Sequence, residues 1–255
     1  MLPHSLTKLP FVERFYSYTV TASTNDIGRG MTEFPGKGII VIQADRQTNG
    51  RGRSGASFFS DSSGGLWASI ITPIASLNEH FVHNRALSLA ICEAVETVSG
   101  CPSVCAIKWP NDIIWNDRKL CGILLENHPG RTDVLVIGFG INVSIKRNDF
   151  PLELQTIATS IIIETGKRYS RSLILEKVLD RYNANLVADL EKIHYAYSGR
   201  LYGLGRPAEI EGKRGIFMGV ELNGKLKLKV GHNLMYFLSG HLTFPALPEK
   251  NHAGP

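Results

Sequence analysis

Long apolar runs are missing from this sequence of 255 residues, although 43% of its residues are hydrophobic. No segment approaches the roughly eighteen consecutive apolar residues that a membrane-spanning helix needs. Residues 1–15 also lack the basic start and the apolar block of a signal peptide. We therefore expect a cytoplasmic protein that does not enter a membrane. Its core should be large enough for one sizeable domain with a small appendage.

Cysteine is scarce, with four residues in the whole chain. These residues, Cys92, Cys101, Cys105 and Cys121, form no C-x-x-C pair and match no histidine spacing. The usual zinc-site patterns are thereby excluded. We expect buried or idle reduced thiols, as is common in the cytosol. The sequence assigns no ligand to any metal ion.

Tracts of charge of one sign are also absent. The chain has 28 Lys and Arg against 23 Asp and Glu, for a formal net charge of +5. The isoelectric point near 9.0 would suit an anionic partner. However, the basic residues are scattered, whereas a nucleic-acid-binding face concentrates them. The charge pattern therefore argues against DNA as a partner.

Turn residues separate short apolar segments along most of the chain. Segments rich in β-branched residues predict strands, and apolar residues at helical spacing over 81–98 predict a helix that covers the sheet. The region 160–197 is also helical in pattern. Strands are predicted at 12–21, 38–44, 66–72, 104–109, 113–115, 120–125 and 134–137.

The residue pattern changes from Arg206 onward, where Gly-Lys, Asn-Gly and Gly-His pairs separate short predicted strands. Such spacing predicts a separate small β-barrel of about forty residues. The predicted organisation is an α+β fold with a large domain over 1–200 and a small β domain over 205–248. In the large domain, helices flank a central mixed or antiparallel sheet.

The stretch Gly50-Arg51-Gly52-Arg53 contains two glycines, which predict a flexible backbone, and two positively charged side chains. Glycines let backbone N–H groups approach a ligand, and guanidinium groups suit phosphate or carboxylate oxygens. The stretch is neither a P-loop nor a dinucleotide fingerprint, because the required Lys-Ser/Thr and the following helix are missing. It favours an anionic ligand, and its alternative interpretation is an ordinary solvated loop.

Two other segments carry polar groups at predicted strand ends. Lys108 ends an apolar strand just before Trp109-Pro110, and proline fixes the strand edge there. The alternative is a surface lysine beside a turn. Asn142 follows Gly138 and Gly140, and an asparagine side chain can pair with the N6/N7 edge of adenine. By itself it could equally be a turn asparagine.

Taken together and in this order, these segments resemble the biotin protein ligases. The resemblance runs from about residue 16 to residue 145 and continues more weakly to about 245. The residues that carry it are Ser23-Thr24-Asn25, Gln47 with the 50–53 loop, Gly64-Gly65-Leu66-Trp67, KWPND at 108–112, RKLCGIL at 118–124, and Gly140-Ile141-Asn142.

The resemblance implies a class II synthetase-like biotin/lipoate ligase fold with a small C-terminal SH3-like β-barrel. In this family, biotin and ATP react with Mg²⁺ present to give biotinyl-5′-AMP and pyrophosphate. The biotinyl group then passes to a lysine of a biotin carboxyl carrier protein. Members include monomers and homodimers, so the oligomeric state stays open.

Site roles follow from the same resemblance. It implies catalytic roles for Lys108, Arg51 and Arg53, with Lys108 between the biotin carboxylate and the α-phosphate. Neutral groups would line the pocket of the ureido ring. The implied biotin contacts are Ser23, Thr24, Asn25, Gln47, Gly50, Arg51, Gly52, Arg53, Lys108 and Gly122. The implied nucleotide contacts are Arg51, Arg53, Phe58, Lys108, Asn111 and Asn142.

Some features depart from the family pattern. Ala56 and Phe58 stand where many members have arginine and tryptophan, which weakens the expected phosphate clamp and adenine stacking. Regulatory members carry an N-terminal helix-turn-helix, and this chain begins about twenty residues before Ser23. We therefore expect the monofunctional type, which has no DNA-binding domain.

Two alternative functions remain. A lipoate protein ligase shares the fold and also forms an acyl-adenylate, but its glycine loop has a different pattern from residues 50–61. A non-catalytic biotin-binding or adenylate-binding protein is the second alternative. The retained Arg51, Arg53 and Lys108 argue against it.

Overall fold

The computed structural model describes residues 8–245, and all structural statements here concern that range. The outer limits predicted for the two domains, residues 1 and 248, lie outside it. No helix in this range is both long and apolar enough to cross a membrane.

A seven-stranded mixed sheet forms the centre of the protein, in the order β1-β2-β3-β7-β6-β5-β4. β1 and β2 run parallel, and all other neighbours are antiparallel. The predicted strands are confirmed, although the sixth and seventh are several residues longer than expected. The bounds are β1 Val12–Thr21, β2 Ile39–Gln47, β3 Gly65–Pro73, β4 Cys105–Lys108, β5 Asp112–Trp115, β6 Arg118–His128 and β7 Arg131–Asn142.

Five α-helices accompany the sheet, and the predicted helix over 81–98 is confirmed. The region 160–197 is not one helix, because Gly166 ends α3 at a φ of 71° and Asp189 caps the start of α5. The long α2 is buried along most of its length and packs mainly on α4. The helices are α1 Thr24–Arg29, α2 His80–Ser99, α3 Ile161–Thr165, α4 Arg171–Val187 and α5 Leu190–Ser198.

The C-terminal region forms a four-stranded antiparallel sheet in the order β11-β10-β9-β8. The strand content matches the prediction. Among residues 8–245, however, β8 and β11 do not pair, so backbone hydrogen bonds do not close the sheet into the predicted barrel. Its strands are β8 Pro207–Ile210, β9 Lys213–Val220, β10 Leu226–Val230 and β11 Asn233–Phe237.

The small sheet packs on the large one through a shared core. Phe217, Leu226 and Leu228 are fully buried and belong to the same hydrophobic cluster as the main sheet and α2. The turn between β9 and β10 makes a polar contact with the segment after β4: Trp109 Nε1 donates to the Gly224 carbonyl oxygen at 3.1 Å. The two sheets therefore meet next to the KWPND segment.

Candidate active site

A cavity of about 250 Å³ lies beside the main sheet, where the start of α1, the end of β2 and the middle of β6 and β7 converge. The loop at residues 51–58 covers it, and His241 reaches it from the C-terminal region. Ten predicted site residues line this one cavity. They are Ser23, Thr24, Asn25, Gln47, Arg51, Gly52, Arg53, Phe58, Asn111 and Gly122.

One end of the cavity is polar, neutral and buried. Ser23, Thr24 and Asn25 are 2–3% exposed, and Gln47 is 8% exposed. The Thr24 backbone N–H and hydroxyl both donate to Gln47 Oε1, at 2.7 and 3.0 Å. Because these contacts use the amide oxygen of Gln47, its NH₂ group is what it can still offer a ligand. This end suits a neutral ligand with its own donors and acceptors.

Ser69 on β3 supports this end, and the sequence reasoning missed it. Its Oγ lies 2.7 Å from Thr24 Oγ1 and 2.6 Å from Asn25 Oδ1. A single hydroxyl can donate to only one of them at a time. Ser69 is fully buried in β3, where the other polar side chain is Thr72. A serine inside an apolar run, between Ala68 and Ile70, was the available signal.

Glycines on β7 make room for the cavity wall. A Cβ on Gly138 would lie 2.2 Å from Asn25 Oδ1. A Cβ on Gly140 would lie 2.5 Å from the Phe58 ring. The two glycines therefore let a polar side chain and an aromatic ring approach the strand closely.

Phe58 covers the middle of the cavity. Its ring meets Trp67 edge-on, with centroids 6.0 Å apart and planes at 81°. Lys119 Nζ lies 5.5 Å from the Phe58 centroid, within range of a cation–π contact. Ala56 also lines the cavity without adding a charge. The predicted nucleotide role of Phe58 stays a prediction.

The two loop arginines have different partners. Arg51 forms ion pairs with Asp26 Oδ1 at 2.7 Å and with Glu126 Oε1 at 2.5 Å. Glu126 also accepts from Asn25 Nδ2 at 2.9 Å, which ties the loop to the polar end. Arg53 donates instead to the Gly240 carbonyl oxygen at 3.3 Å and forms no ion pair within residues 8–245.

Lys119, not Lys108, is the lysine that lines the cavity. Its Nζ lies 2.7 Å from Asp112 Oδ1 on the neighbouring strand. A β-bulge explains its direction, since the β5–β6 register shifts between the pairs Ile113–Cys121 and Ile114–Lys119. The extra residue, Leu120, turns Lys119 onto the face of Gly122, where regular alternation would separate them. A bulge has no clear sequence signature, so this position was missed.

Lys108 is a predicted site residue that does not line this cavity. It pairs with Asp112 across the β4–β5 ladder, next to the cavity but not in its wall. Burial lowers the pKa of Lys108 from its ordinary value, and nearby Lys119 lowers it further, while Asp112 opposes the shift. The predicted catalytic role of Lys108 stays a prediction.

Gly50 and Asn142 are two further predicted site residues that do not line the cavity. Gly50 packs against the nearby segment that contains Phe58 and Ser60, where a Cβ would come within 2.1 Å of Ser60 Oγ. Asn142 is 5% exposed, and its Nδ2 donates to the Thr159 carbonyl oxygen at 2.9 Å. Its Oδ1 is buried and has no partner among the described residues.

Metal-binding clusters and disulfides are not part of this site. Within residues 8–245, no group of three or more His, Cys, Asp or Glu side chains is arranged to hold a metal ion. The four cysteines are free. Burial raises the pKa of the Cys121 thiol beside the cavity, so this thiol is neutral and not a reactive thiolate.

The mixed sheet, the cavity that combines neutral polar groups with loop arginines, and the small adjoining sheet define a biotin-ligase type of fold. Residues 16–142 match the Biotin/lipoate A/B protein ligase family. The chain belongs to this family.

Individual relatives agree with this assignment. The chain is 30% identical to the bifunctional ligase/repressor BirA of Bacillus subtilis over 217 residues, which are 81% of this chain and 66% of that protein. It is 28% identical to the biotin–[acetyl-CoA-carboxylase] ligase of Paracoccus denitrificans, with 82% of this chain and 91% of that protein covered. The chain spans just under two thirds of the Bacillus relative.

Solved structures give the same picture. The biotin protein ligase from Aquifex aeolicus in complex with biotin and ATP matches with a TM-score of 0.78 at 26% identity. The match covers 91% of this chain and 98% of that chain. Both sheets of the present fold therefore have counterparts in a single known protein.

Proposed function

We propose that this protein is a biotin protein ligase. It would activate biotin with ATP to biotinyl-5′-AMP and then transfer biotin to a lysine of a biotin carboxyl carrier protein. The names of the relatives from Paracoccus and Aquifex support the ligand class. The observation that carries the proposal is one cavity with a neutral polar end at Thr24 and Gln47 and cations at Arg51, Arg53 and Lys119.

The neutral end fits a ureido ring. Such a ring has two N–H donors and one carbonyl acceptor and carries no charge. A charged group of a ligand would lose its hydration there without gaining an ionic partner, at a substantial cost in free energy. The buried amide and hydroxyl groups of Thr24, Asn25 and Gln47 can satisfy donors and acceptors with little penalty.

The cationic end addresses the first chemical step. An oxygen of the biotin carboxylate attacks the α-phosphorus of ATP, the bond to the β-phosphate oxygen breaks, and pyrophosphate leaves. Two anions must approach each other, so fixed positive charge lowers the barrier. Lys119 is the cation best placed for this role, because Asp112 and the Phe58 ring fix its position.

The loop arginines need a change of partner before they can bind phosphate. Arg51 is paired with Asp26 and Glu126. Phosphate oxygens would replace these carboxylates as the loop closes over the ligand. Closure also keeps water from the reactive mixed anhydride. In this proposal, the ion pairs of Arg51 with Asp26 and Glu126 belong to the open state of the loop, before the substrate binds.

The second step transfers the acyl group. The lysine amine of the carrier attacks the carbonyl carbon of biotinyl-5′-AMP, an amide bond forms, and the bond to the phosphate oxygen breaks. AMP leaves, and the amine loses a proton. Cations near the phosphate also favour this departure, because negative charge returns to the phosphate oxygens.

Mg²⁺ would enter with ATP as part of the substrate. Magnesium commonly binds one or two carboxylates together with substrate phosphates and water. Asp112 fits the carboxylate role, since it lines the cavity, where it also forms the ion pair with Lys119. The ion would neutralise phosphate charge during the first step.

Incorporation of labelled biotin into a purified carrier domain tests the proposal. Biotinylation that requires ATP is the expected result. A lipoate ligase would modify its own carrier with lipoate and ignore biotin. A non-catalytic binding protein would bind biotin and form no product, and either outcome contradicts the proposal.

A further inference from the structure

A buried carboxylate lies outside the cavity, on the short helix α3. The Glu164 side chain is 4% exposed. Its Oε1 accepts hydrogen bonds from Arg118 Nη2 at 2.7 Å and from the Thr159 hydroxyl, and its Oε2 accepts from Asn116 Nδ2 at 2.6 Å. Neither Glu164 nor any of these three partners lines the cavity. The carboxylate therefore joins three places in the chain without touching the space where a ligand would bind.

We infer that Glu164 is a positioning residue for Lys119 and holds the chain on both sides of that lysine. This inference rests on the proposed function, in which Lys119 is the cation that faces the two anionic reactants. Arg118 directly precedes Lys119 on β6. Thr159 belongs to the segment 157–159, which lies beside Lys119. One carboxylate thus ties the strand that carries the lysine to the segment next to it.

The backbone of Lys119 has a neighbour on each side. One neighbour is β5, and the other, where β7 no longer pairs with β6, is the segment 157–159. The Lys119 N–H donates to the Ile157 carbonyl oxygen at 2.8 Å, and the Thr159 N–H donates to the Lys119 carbonyl oxygen at 2.9 Å. Because the bulge at Leu120 interrupts the regular pairing with β5, these two bonds help to set the direction of the Lys119 side chain.

The contacts of Glu164 are not those of a helix cap. The helix α3 is capped by Ser160, whose Oγ accepts from the Ile163 N–H at 3.3 Å. All three partners of the Glu164 carboxylate lie outside α3. Loss of the carboxylate would remove the ion-pair partner of Arg118 and the acceptor of the buried Thr159 hydroxyl. The strand and the segment beside it would then lose their common anchor.

The position of Lys119 Nζ matters because a fixed cation stabilises the transition state only when it is already in place. A displacement of about 1 Å can cost on the order of a hundredfold in rate. The neutral end of the cavity, at Thr24 and Gln47, has its own hydrogen bonds and does not contact Glu164. Loss of Glu164 should therefore slow adenylation and leave the affinity for biotin nearly unchanged.

Two variants test the inference, Glu164→Ala and the milder Thr159→Val. Thr159→Val keeps the size of the side chain but removes the hydroxyl that donates to the carboxylate. It carries the test alone if Glu164→Ala does not fold.

Glu96→Ala is the matched control. The Glu96 side chain is 11% exposed, pairs with Arg200 at 2.7 Å and does not line the cavity. Removal of either carboxylate breaks a largely buried ion pair, so both variants should lose thermal stability. The folded Glu96→Ala protein should nevertheless form adenylate at the parent rate.

A double-variant cycle with Lys119→Ala separates positioning from general stability. Single-turnover formation of biotinyl-5′-AMP is measured with saturating biotin and ATP at a temperature where each variant is folded, and calorimetry gives the Kd for biotin. We expect adenylation to be about tenfold slower in Glu164→Ala and about threefold slower in Thr159→Val, with the Kd for biotin within about twofold of the parent value. In the Lys119→Ala background, either change should alter the rate by less than about twofold, because the group that is positioned is gone.

The outcomes that would count against the proposals differ. A parent protein that forms no biotinyl-5′-AMP contradicts the proposed function itself. A parent that forms it, with Glu164→Ala and Thr159→Val at the parent rate, contradicts the positioning inference alone. Equal slowing in the parent and Lys119→Ala backgrounds, or a loss of biotin affinity as large as the loss of rate, would show a general structural effect and would also overturn the inference.

Discussion

Lys119 Nζ lies 2.7 Å from Asp112 Oδ1, so a carboxylate on the neighbouring strand holds the cation of the cavity. The bulge at Leu120 makes this contact possible. Lys108 lies opposite the same aspartate on β4 but does not line the cavity. Asp112 thus has two lysine neighbours, Lys108 and Lys119. We expect substitution of the two lysines to affect the rate of adenylation differently.

The Arg51–Glu126 ion pair predicts competition with the substrate. Glu126→Gln removes the charge that holds Arg51 but keeps an acceptor for Asn25 Nδ2. Because phosphate no longer competes with this carboxylate, we expect ATP to bind about threefold more tightly, or roughly 0.7 kcal/mol. Calorimetric titration with a non-hydrolysable ATP analogue measures the effect.

Glu33→Gln is the control for this titration, since Glu33 pairs with Arg14 on the exposed surface away from the cavity. It should bind ATP as the parent does. Weaker binding in Glu126→Gln would mean that the carboxylate orients Arg51 for the ligand and does not compete with it.

The contact between Gly224 in the C-terminal sheet and Phe81 on α2 predicts how much packing between the two parts contributes to stability. Its φ is +89°, and a Cβ would lie 2.4 Å from the Phe81 ring. Gly224→Ala therefore combines left-handed strain of about 1–2 kcal/mol with overpacking of about 1–3 kcal/mol. We expect urea denaturation to give a loss of stability of at least 2 kcal/mol from these two causes together.

Gly231→Ala separates the two causes of destabilisation. Gly231 also has a positive φ, +58°, but a Cβ there meets nothing within 4 Å. Only the backbone strain applies, so the loss should stay near 1 kcal/mol. Equal losses in the two variants would show that the contact with Phe81 contributes nothing.

His83 predicts a pH dependence of stability. Burial lowers the pKa of His83 to about 4, and the nearby Glu79 carboxylate only partly offsets this shift. The imidazole of an unfolded chain titrates near 6.5, so the unfolded state binds more protons between these values. The free energy of unfolding should therefore fall by up to about 3 kcal/mol as the pH decreases from about 6.5 to about 4.

His83→Gln should flatten this dependence, because glutamine does not titrate but can still contact the Tyr182 hydroxyl, now 2.7 Å from His83 Nδ1. Urea denaturation at several pH values checks the slope. His232→Gln, at an exposed turn, serves as the control and should keep the parent slope. Parallel curves for the parent and His83→Gln would show that another group causes the acid sensitivity.

The sequence predicted most of the sheet because its strands are short, apolar and bounded by turn residues. The resemblance to the biotin protein ligases singled out Ser23, Thr24 and Asn25, and these residues lie together because they are consecutive and begin a helix. Sequence reasoning failed for Lys119 and Ser69. A β-bulge directs Lys119 into the cavity. The role of Ser69 depends on its contacts with Thr24 and Asn25, which are distant in the sequence.

The C-terminal region shows a similar limit. Turn spacing predicted its strands, but closure into a barrel depends on pairing between β8 and β11, which the described residues do not make. Likewise, local pattern gave no sign that the β9–β10 turn would pack on Trp109 and border a groove. Contacts between distant segments decide both features.

The rate of biotinyl-5′-AMP formation in a single turnover tests the central claim, that the cation fixed beside Asp112 brings the two anionic reactants together. We expect Lys119→Ala to lower this rate at least a hundredfold, about 3 kcal/mol of transition-state stabilisation. Lys108→Ala should lower it by less than about tenfold, or 1.4 kcal/mol. Parent-like adenylation by Lys119→Ala, or a loss confined to Lys108→Ala, would contradict the account.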